Sequence, residues 1–269
     1  MVEFFDQIYT SLDKIPVLRE IFERAYGSDC PPVEAAGFNF LSMSELRHIS
    51  QGLQVGPGDT FADLACGTGG PGLWIARETG ACLVGIDFSS AAIRLAEQNA
   101  ARWGLWERAR YQVADMADTG LPAAAFDGAL CIDAIQIAAD KQAFLREVAR
   151  ILKNGGRFAF TTWEDIPTEM ENESTVQQET TGYLSLLKEA GFEAVSCIES
   201  QDWEGRQREV YQETLAHAEE IQIKVGEQTA SGLFEEAKYM TARQDGKDRL
   251  SQMRRIVVIA LKHSQDTHY

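Results

Sequence analysis

Four aspartates stand at the ends of successive apolar runs: Asp63, Asp87, Asp115 and Asp133. Each run is typical of a buried strand, and an open parallel sheet places the carboxyl ends of its strands along one ligand-binding edge. Carboxylates that converge there repel one another unless a cationic or hydrogen-bond-donating group lies between them. The alternative for any single aspartate is a loop residue that caps a helix. Together, the four indicate a binding site.

A glycine-rich turn follows the first of these aspartates. Gly67, Gly69 and Gly72 satisfy the pattern G-x-G-x-x-G, which is weak evidence alone. Glycine lets the backbone approach a ligand closely, and the start of the following helix offers free N–H groups. Asp87 ends the next apolar run, about 20 residues further on, where a carboxylate can accept hydrogen bonds from the hydroxyls of an adenosine ribose. Strand, turn and helix therefore predict a nucleoside-binding corner.

From residue 61 to about 163 the chain resembles the class I S-adenosylmethionine-dependent methyltransferases, in their small-molecule branch. The first motif of that family, acidic-x-Gly-x-Gly-x-Gly, is matched by Asp63, Ala65, Gly67 and Gly69. Ala65 departs from the motif. Alanine is acceptable there only if its φ angle is negative and the ligand leaves room for a methyl group.

The resemblance implies S-adenosylmethionine as the cofactor and S-adenosylhomocysteine as the product. Asp87 would bind the ribose, and Phe88 would flank the adenine. Asp115 would accept from the adenine amino group, while the backbone N–H of Met116 would donate to the ring. The full set of implied cofactor-binding residues is Asp63, Ala65, Gly67, Gly69, Asp87, Phe88, Asp115, Met116, Asp133 and Gln136.

The position of Asp63 argues against a nicotinamide dehydrogenase. A dinucleotide would bring its pyrophosphate to the glycine turn, where a carboxylate is unfavourable. By resemblance, Asp63 and the turn would instead hold the methionine part of the cofactor, which carries an ammonium group. Asp133 and Gln136 follow the fourth predicted strand, where similar enzymes contact the methionine end or the acceptor.

The alternation of strand and helix patterns predicts an α/β fold with a doubly wound, mostly parallel, Rossmann-like sheet. By resemblance the sheet has seven strands, with the last antiparallel to the sixth. Serine caps are expected at residue 42 or 44 and at residue 89. The predicted strands lie at about 61–63, 81–86, 111–114, 125–132, 157–163, 192–198 and 255–261.

The chain divides into three expected regions. By resemblance, residues 1–55 would form an N-terminal helical lid, with a packed surface helix as the alternative, and residues 56–163 would form the Rossmann-like cofactor-binding core. Residues 164–269 would complete the sheet and carry a helical substrate cap at about 204–245. A polar run after the fifth strand lacks apolar periodicity and is expected to be a loop.

Methyl transfer requires alignment of the acceptor and exclusion of water more than covalent help from the protein. An acceptor hydroxyl or ammonium group can also need a base. His217, near Tyr211 and Glu213 in the predicted cap, is one candidate and Asp133 another, although a surface histidine is the commoner outcome. Candidates for the acceptor pocket, with core packing as the alternative, are Phe38, Phe40, Trp163, Tyr183 and Trp203.

Composition narrows the class of partner. The net charge of −16 disfavours nucleic acid as a partner. The sequence contains no run of 18 apolar residues, so no membrane span is expected. The five cysteines include no C-x-x-C pair, which favours a reducing cytoplasm. No metal site is expected, and a homo-oligomer is possible.

These observations predict an enzyme that transfers a methyl group from S-adenosylmethionine to an O, N or C atom of a small metabolite, such as a natural product, by in-line displacement. Two alternatives keep the same fold. The protein could bind the cofactor and catalyse a cyclisation or isomerisation, or it could be a non-catalytic cofactor-binding partner of another subunit.

Overall fold

The computed structural model describes residues 2–11, 15–166, 182–244 and 246–263. Most of the predicted polar loop after the fifth strand, at 167–181, lies outside the described residues. So does the end of the chain, at 264–269.

A seven-stranded sheet forms the centre of the molecule, with strand order β3-β2-β1-β4-β5-β7-β6. Strands β1 to β5 are parallel, and β7 runs antiparallel to both β5 and β6. The predicted doubly wound sheet and the antiparallel last pair are confirmed. The strands are β1 (Thr60–Leu64), β2 (Cys82–Asp87), β3 (Ala109–Val113), β4 (Phe126–Cys131), β5 (Leu152–Asp165), β6 (Phe192–Glu199) and β7 (Met253–Lys262).

Strand order reverses at β1, which pairs with β2 on one side and with β4 on the other. At such a switch point the two following connections leave towards opposite faces of the sheet, which opens a crevice at the carboxyl ends of the strands. Asp63 lies in β1 at this point, opposite Gly85 of β2 and Leu130 of β4.

Strand β5 begins earlier than the sequence pattern predicts. It includes residues 154–156, because Leu152 pairs with Phe126 of β4 before the register shifts and Arg157 pairs with Gly128. Gly155, with a φ of 78°, takes the left-handed conformation that this irregularity requires.

The helices cover both faces of the sheet and one of its ends. None in the described part of the chain is long and apolar enough to cross a membrane. They are α1 (Val2–Tyr9), α2 (Pro16–Tyr26), α3 (Met43–Leu53), α4 (Gly70–Thr79), α5 (Ser90–Arg102), α6 (Lys141–Ile151), α7 (Gly182–Glu189), α8 (Trp203–Ala216), α9 (Ala218–Val225) and α10 (Glu227–Thr241).

Local sequence fixes several helix starts. Ser42 caps α3 in a capping box with Glu45, and the Ser89 side chain accepts the N–H of Ala92 at the start of α5. Both serines were among the predicted caps. Helix α4 begins at Gly70, because Pro71 is favourable in a first turn and Gly69 supplies the left-handed N-cap.

Successive residues of a strand point to opposite faces of the sheet and pack into two different apolar cores. Phe61 of β1 packs with α3 and α4 on one face, whereas Ala62 and Leu64 face α6 and α7 on the other. A third cluster joins the two ends of the chain. Its buried members include Ile8 and Ile21 from α1 and α2, and Val210, Ile221 and Leu233 from α8 to α10.

Candidate active site

The glycine turn between β1 and α4 adopts left-handed backbone conformations. The φ angles are 60° at Ala65, 54° at Gly67 and 81° at Gly69. The expectation that alanine requires a negative φ at residue 65 is therefore wrong. Single non-glycine residues in this region cost about 1–3 kcal/mol and persist where the surrounding structure imposes them, which is typical of ligand-binding turns.

Asp87 ties this turn to the end of β2. Its Oδ2 accepts the N–H of Gly67 at 2.8 Å, and its Oδ1 accepts the N–H of Ser89 at 2.8 Å. Burial raises the pKa of Asp87, while these two hydrogen bonds oppose the rise. Each carboxylate oxygen retains a second acceptor position, so the group is able to receive two further donors.

Asp63 lies beneath the first turn of α4 and is almost fully buried. A Cβ atom at Gly72 would come within 2.4 Å of its Oδ2, so the third glycine of the motif provides the space that Asp63 occupies. Burial, and then the charge of Asp87, raise the pKa of Asp63 to about 8, against a weak effect of the Gly72 N–H. A cation bound nearby would favour the ionised form.

Helix α1 lies across the glycine turn. A Cβ atom at Gly67 would meet the Tyr9 hydroxyl at 3.0 Å, and burial raises the pKa of Tyr9. The Asp6 carboxylate accepts from the Ser89 hydroxyl and from the Ala91 N–H at the start of α5. Sequence reasoning missed Tyr9 and Asp6, although their spacing of three residues places them on one face of a helix.

Tyr111 of β3 packs against the glycine turn. A Cβ atom at its strand partner Gly85 would lie 2.4 Å from the Tyr111 ring, so glycine there lets the ring cross β2. The Tyr111 hydroxyl reaches the turn, 2.8 Å from where a Cβ of Gly69 would stand.

The residues expected around adenine have different surroundings. The Phe88 ring packs edge-on against Phe5 of α1, with ring centres 5.5 Å apart. Asp115 is exposed, and its Oδ1 accepts the Ala117 N–H at 2.7 Å. Met116 packs against the core on the α6 and α7 face.

Asp133 is held in a network rather than free. It stands just after β4 with a φ of 50°. Its Oδ2 accepts the Phe40 N–H at 2.8 Å, its Oδ1 pairs with Nη1 of Arg255 at 2.8 Å, and the Thr161 hydroxyl also donates to it. Gln136 donates to the Asp133 carbonyl oxygen at 2.7 Å, which closes the turn after the strand.

Arg255 is the cation at this part of the edge, and its side chain is 1% exposed. It also pairs with Glu45 of α3 at 2.7 Å, and its guanidinium carbon lies 4.5 Å from the centre of the Trp163 ring. Burial raises the pKa of Glu45, but the Arg255 charge and hydrogen bonds outweigh it, so the pKa is lowered. The sequence pattern missed Arg255 because it lies in an otherwise apolar strand.

Aromatic side chains gather next to this network. Phe40 contacts both Trp163 and Tyr211, with ring centres 6.0 and 5.3 Å apart, and Trp203 is buried in the same cluster. Phe38 packs edge-on against Phe5 of α1 at 6.4 Å. Four of the five candidates for the acceptor pocket, Phe38, Phe40, Trp163 and Trp203, therefore lie on the side of the sheet edge that the N-terminal and cap helices cover.

Tyr183 lies elsewhere. It belongs to the core under α7, with its ring centre 5.7 Å from that of Phe160. Its hydroxyl is 3.3 Å from the Thr162 hydroxyl. The structure gives this residue a packing role, because α7 covers the sheet face that faces away from the cap.

His217 stands at the junction of α8 and α9. Its Nδ1 is 2.9 Å from the carbonyl oxygen of Glu213, so the ring contacts the last turn of α8. It lies about 9 Å beyond Tyr211 along the helix, given the rise of about 1.5 Å per residue. Within the described residues, no hydrogen bond joins its ring to Asp133.

A chain of hydrogen bonds crosses from the sheet edge to the cap. Trp163 Nε1 donates to Gln207 Oε1 at 3.0 Å, and Gln207 Nε2 donates to the Tyr211 hydroxyl at 3.1 Å. The Tyr211 hydroxyl donates to Glu236 Oε1 of α10 at 2.7 Å. Sequence reasoning missed Gln207 and Glu236, whose spacing in polar helices gave no signal. Across the described ranges, no cluster of histidine, cysteine and acidic side chains is arranged to hold a metal ion.

Comparison with known proteins identifies the central part of the chain. Residues 61–156 match the family described as a methyltransferase domain. Methyltransferase GfsG of Streptomyces halstedii is 29% identical over 165 residues, which are 57% of this chain and 59% of that protein. The match thus spans less than two thirds of this relative's length.

Solved structures share the fold over a larger part of the chain. The [4+2]-cyclase SpnF is 21% identical, with a TM-score of 0.72 over 96% of both chains. Geranyl diphosphate C-methyltransferase from Streptomyces coelicolor A3(2), in complex with S-adenosyl-L-homocysteine, is 17% identical, with a TM-score of 0.58 over 81% of this chain and 78% of that one. Residues 61–156 therefore match a methyltransferase domain in sequence, and the switch-point geometry gives them the doubly wound fold that the resemblance to class I S-adenosylmethionine-dependent methyltransferases implies.

Proposed function

We propose that the protein transfers a methyl group from S-adenosylmethionine to an O, N or C atom of a small, apolar or amphipathic metabolite. The observation that carries the proposal is the pair of buried carboxylates at the switch point: Asp63 beneath the first turn of α4, and Asp87, which binds the glycine turn through the Gly67 N–H. The raised pKa of Asp63 marks a place where a cationic ligand is favourable.

The residues present fit this cofactor. Asp87 has acceptor positions left for two ribose hydroxyls, and Phe88 offers a ring to the adenine. In this proposal the left-handed turn would bring backbone close to the methionine part, next to Asp63. Asp115 and Met116, after β3, would contact the edge of the adenine.

Helix α1 acts as a lid in this proposal. It contacts the glycine turn through Tyr9 and the start of α5 through Asp6, so it must move for a ligand to enter. Closure would exclude water from the reacting atoms, which strengthens electrostatic interactions and prevents hydrolysis. The lid of residues 1–55 and the cap at 204–245 then enclose the acceptor together.

The cofactor supplies an activated methyl group on a sulfonium. The chain contributes alignment of the acceptor with that methyl group. Phe40 and Trp163 line the side where the acceptor would pack, and Asp133 fixes the backbone of Phe40. This lining favours an acceptor with an aromatic or aliphatic body, such as a natural product.

Transfer of a labelled methyl group tests the proposal. The purified protein is incubated with S-adenosylmethionine labelled on its methyl group, together with a metabolite extract and a panel of phenols, alcohols and amines. We expect label in an organic product and one equivalent of S-adenosylhomocysteine. Absence of calorimetric binding of S-adenosylhomocysteine would contradict the proposal.

A second candidate is a cyclase that binds the cofactor without consuming it. The observation in its favour is that the match to the [4+2]-cyclase extends over 96% of both chains, cap helices included. The same incubation separates the two candidates. A cyclase would leave the label on the cofactor and convert an added polyene to an isomer of unchanged mass.

A further inference from the structure

A cavity of about 400 Å³ lies beside the glycine turn, between the connector at 33–36 and helices α4 and α5. Volumes of about 300–1,000 Å³ are typical of sites for small molecules. Within the described chain, its lining shares no residue with the set that the resemblance assigns to the cofactor. The cavity still borders the turn, because Asn99 in its wall donates from Nδ2 to the Thr68 carbonyl oxygen at 3.0 Å. It is therefore a second space for a ligand, next to the first.

Two arginines line this cavity, one from each helix. The guanidinium carbon of Arg77 lies 5.6 Å from the centre of the Trp103 ring, and Arg77 Nε is 3.5 Å from the exposed carboxylate of Glu78. Arg102 forms no hydrogen bond or ion pair with any residue that the structure describes. The planar N–H donors of a guanidinium group match the oxygens of carboxylate and phosphate groups. The cavity is therefore suited to an anion, although the chain has a net charge of −16.

An arginine near the end of a helix often only offsets the partial negative charge of the last carbonyl groups. Here other donors bind those carbonyls. Arg108 Nη1 donates to the Ala76 carbonyl oxygen at 3.1 Å, and the Trp103 N–H donates to that of Asn99 at 3.0 Å. Neither lining arginine donates a hydrogen bond to a carbonyl of the described chain. Their N–H groups thus remain available to a ligand.

The rest of the lining limits which anions fit. Val33, which is 66% exposed, and the ring of Trp103 offer apolar surface. The connector also contributes Glu34, which forms no ion pair with either lining arginine among the described contacts. A carboxylate in the wall repels additional negative charge on a ligand. The lining therefore favours a ligand with one anionic group on an apolar body over a small polyanion.

Two walls of the cavity touch the glycine turn. On the α5 side the contact is the hydrogen bond from Asn99 to Thr68. On the connector side, a Cβ atom at Gly70 would stand 2.2 Å from the Ala36 carbonyl oxygen, so the connector lies directly on the first residue of α4. A ligand that holds both walls would order the turn, and a second ligand that binds the turn would then lose less conformational entropy.

We propose that this cavity binds a small metabolite with a single carboxylate or phosphate group on an apolar body, and that its occupation strengthens cofactor binding at the glycine turn. Arg77 and Arg102 bind the oxyanion, and Val33 and Trp103 pack against the body of the ligand. The coupling to the cofactor rests on the proposed function. The binding of the anion does not, because it is measured on the free protein.

Calorimetry of the wild-type protein at low salt tests the site, with phenyl phosphate, benzoate and inorganic phosphate as the probes. We expect both organic anions to bind with one-to-one stoichiometry, and inorganic phosphate about tenfold more weakly because it buries no apolar surface. The more tightly bound of the two organic anions identifies phosphate or carboxylate as the natural group. Failure of both organic anions to bind would overturn the proposal.

Arg102→Gln should weaken the binding of phenyl phosphate about tenfold, because it removes a hydrogen bond between charged groups. Arg94→Gln is the matched control, since Arg94 is exposed on the same helix and lies outside the cavity lining. It removes the same charge and should leave the dissociation constant unchanged. Glu34→Gln should strengthen binding about threefold, because it removes a repulsive charge. Equal weakening in the two arginine variants would overturn the site, since it would report overall charge alone.

A second titration tests the coupling. S-Adenosylhomocysteine is titrated into the wild-type protein with and without saturating phenyl phosphate, and we expect about fivefold tighter binding when the anion is present. By linkage, S-adenosylhomocysteine should strengthen the binding of phenyl phosphate by the same factor. Asn99→Ala, which removes the contact with Thr68, should reduce this factor towards one.

The two titrations fail in different ways. An S-adenosylhomocysteine affinity that is the same with and without the anion would overturn the coupling. Absence of any S-adenosylhomocysteine binding would contradict the proposed function, while one-to-one binding of the anion to the free protein would still support the site.

Discussion

Asp63 combines deep burial with a neighbouring carboxylate, and this makes protein stability depend on pH. The pKa of about 8 in the folded protein exceeds the value of about 3.9 for an unfolded chain. Between those values the unfolded chain has lost the proton that the folded protein keeps. Asp63 therefore lowers stability as pH rises from about 4 to 8.

Asp63→Asn should remove this dependence. We expect the Tm of the variant, relative to wild type, to increase between pH 5 and pH 8, because asparagine does not ionise. Any fixed cost of the amide is the same at both values and cancels in the comparison. Thermal unfolding followed by circular dichroism measures the difference, and a constant difference across this range would contradict the prediction.

Gly72 makes room for the same carboxylate. Gly72→Ala places a Cβ within 2.4 Å of Asp63 Oδ2, and such overpacking costs about 1–3 kcal/mol of unfolding free energy. In an Asp63→Ala background the penalty should largely disappear. Gly205→Ala in α8 is the control, since nothing lies within 4 Å of its Cβ and helix propensity favours alanine. Urea unfolding gives these values, and additive penalties would contradict the explanation.

At the scale of elements, Arg255 joins three separate segments. It contacts Glu45 of α3 and Asp133 after β4, while Asp133 binds the connector at Phe40. Removing one partner from a buried ionic network leaves uncompensated charge, which costs about 3–5 kcal/mol. We therefore expect Arg255→Met to lose about this much unfolding free energy in urea.

Two comparisons make that prediction specific. Arg249→Met, which breaks the more exposed pair with Asp165, should cost no more than about 1 kcal/mol. Adding Glu45→Gln and Asp133→Asn to Arg255→Met should recover part of the loss, because the orphaned charges are gone. A loss in the triple variant as large as in Arg255→Met would count against the ionic explanation.

The elements themselves were largely predictable from the sequence. Apolar runs marked all seven strands, and Ser42 and Ser89 marked two helix starts, because these signals are local. The contacts of Arg255, Tyr9 and Glu236 were not predictable. Each depends on segments far apart in the chain, and Arg255 in an apolar strand resembles an ordinary edge residue until its partners are known.

At the scale of the whole molecule, the net charge of −16 favours cationic ligands over long distances. S-Adenosylmethionine carries one more positive charge than S-adenosylhomocysteine, and the two are otherwise close in shape. Salt screens long-range attraction, with a Debye length of about 10 Å at 0.1 M. The dissociation constant of S-adenosylmethionine divided by that of S-adenosylhomocysteine should therefore rise about threefold between 0.05 and 0.5 M sodium chloride.

Calorimetry with both ligands at each salt concentration measures that ratio. The demethylated ligand is the control, since it reports every effect of salt except that on the sulfonium charge. An unchanged ratio would mean that the buried carboxylates alone, and not the molecular charge, decide the preference.

The contact between Asp133 and the Phe40 backbone also constrains how the pocket can be altered. The proposed acceptor pocket would take its two walls from segments far apart in the chain, at Phe40 and at Trp163, and these contact Asp133 after β4 and Arg255 of β7. A chimaera that imports new cap helices must therefore retain Glu45, Asp133 and Arg255 together, or exchange them as one unit. If the proposed pocket holds the acceptor, its specificity is best varied at the aromatic side chains and not at these three charged residues.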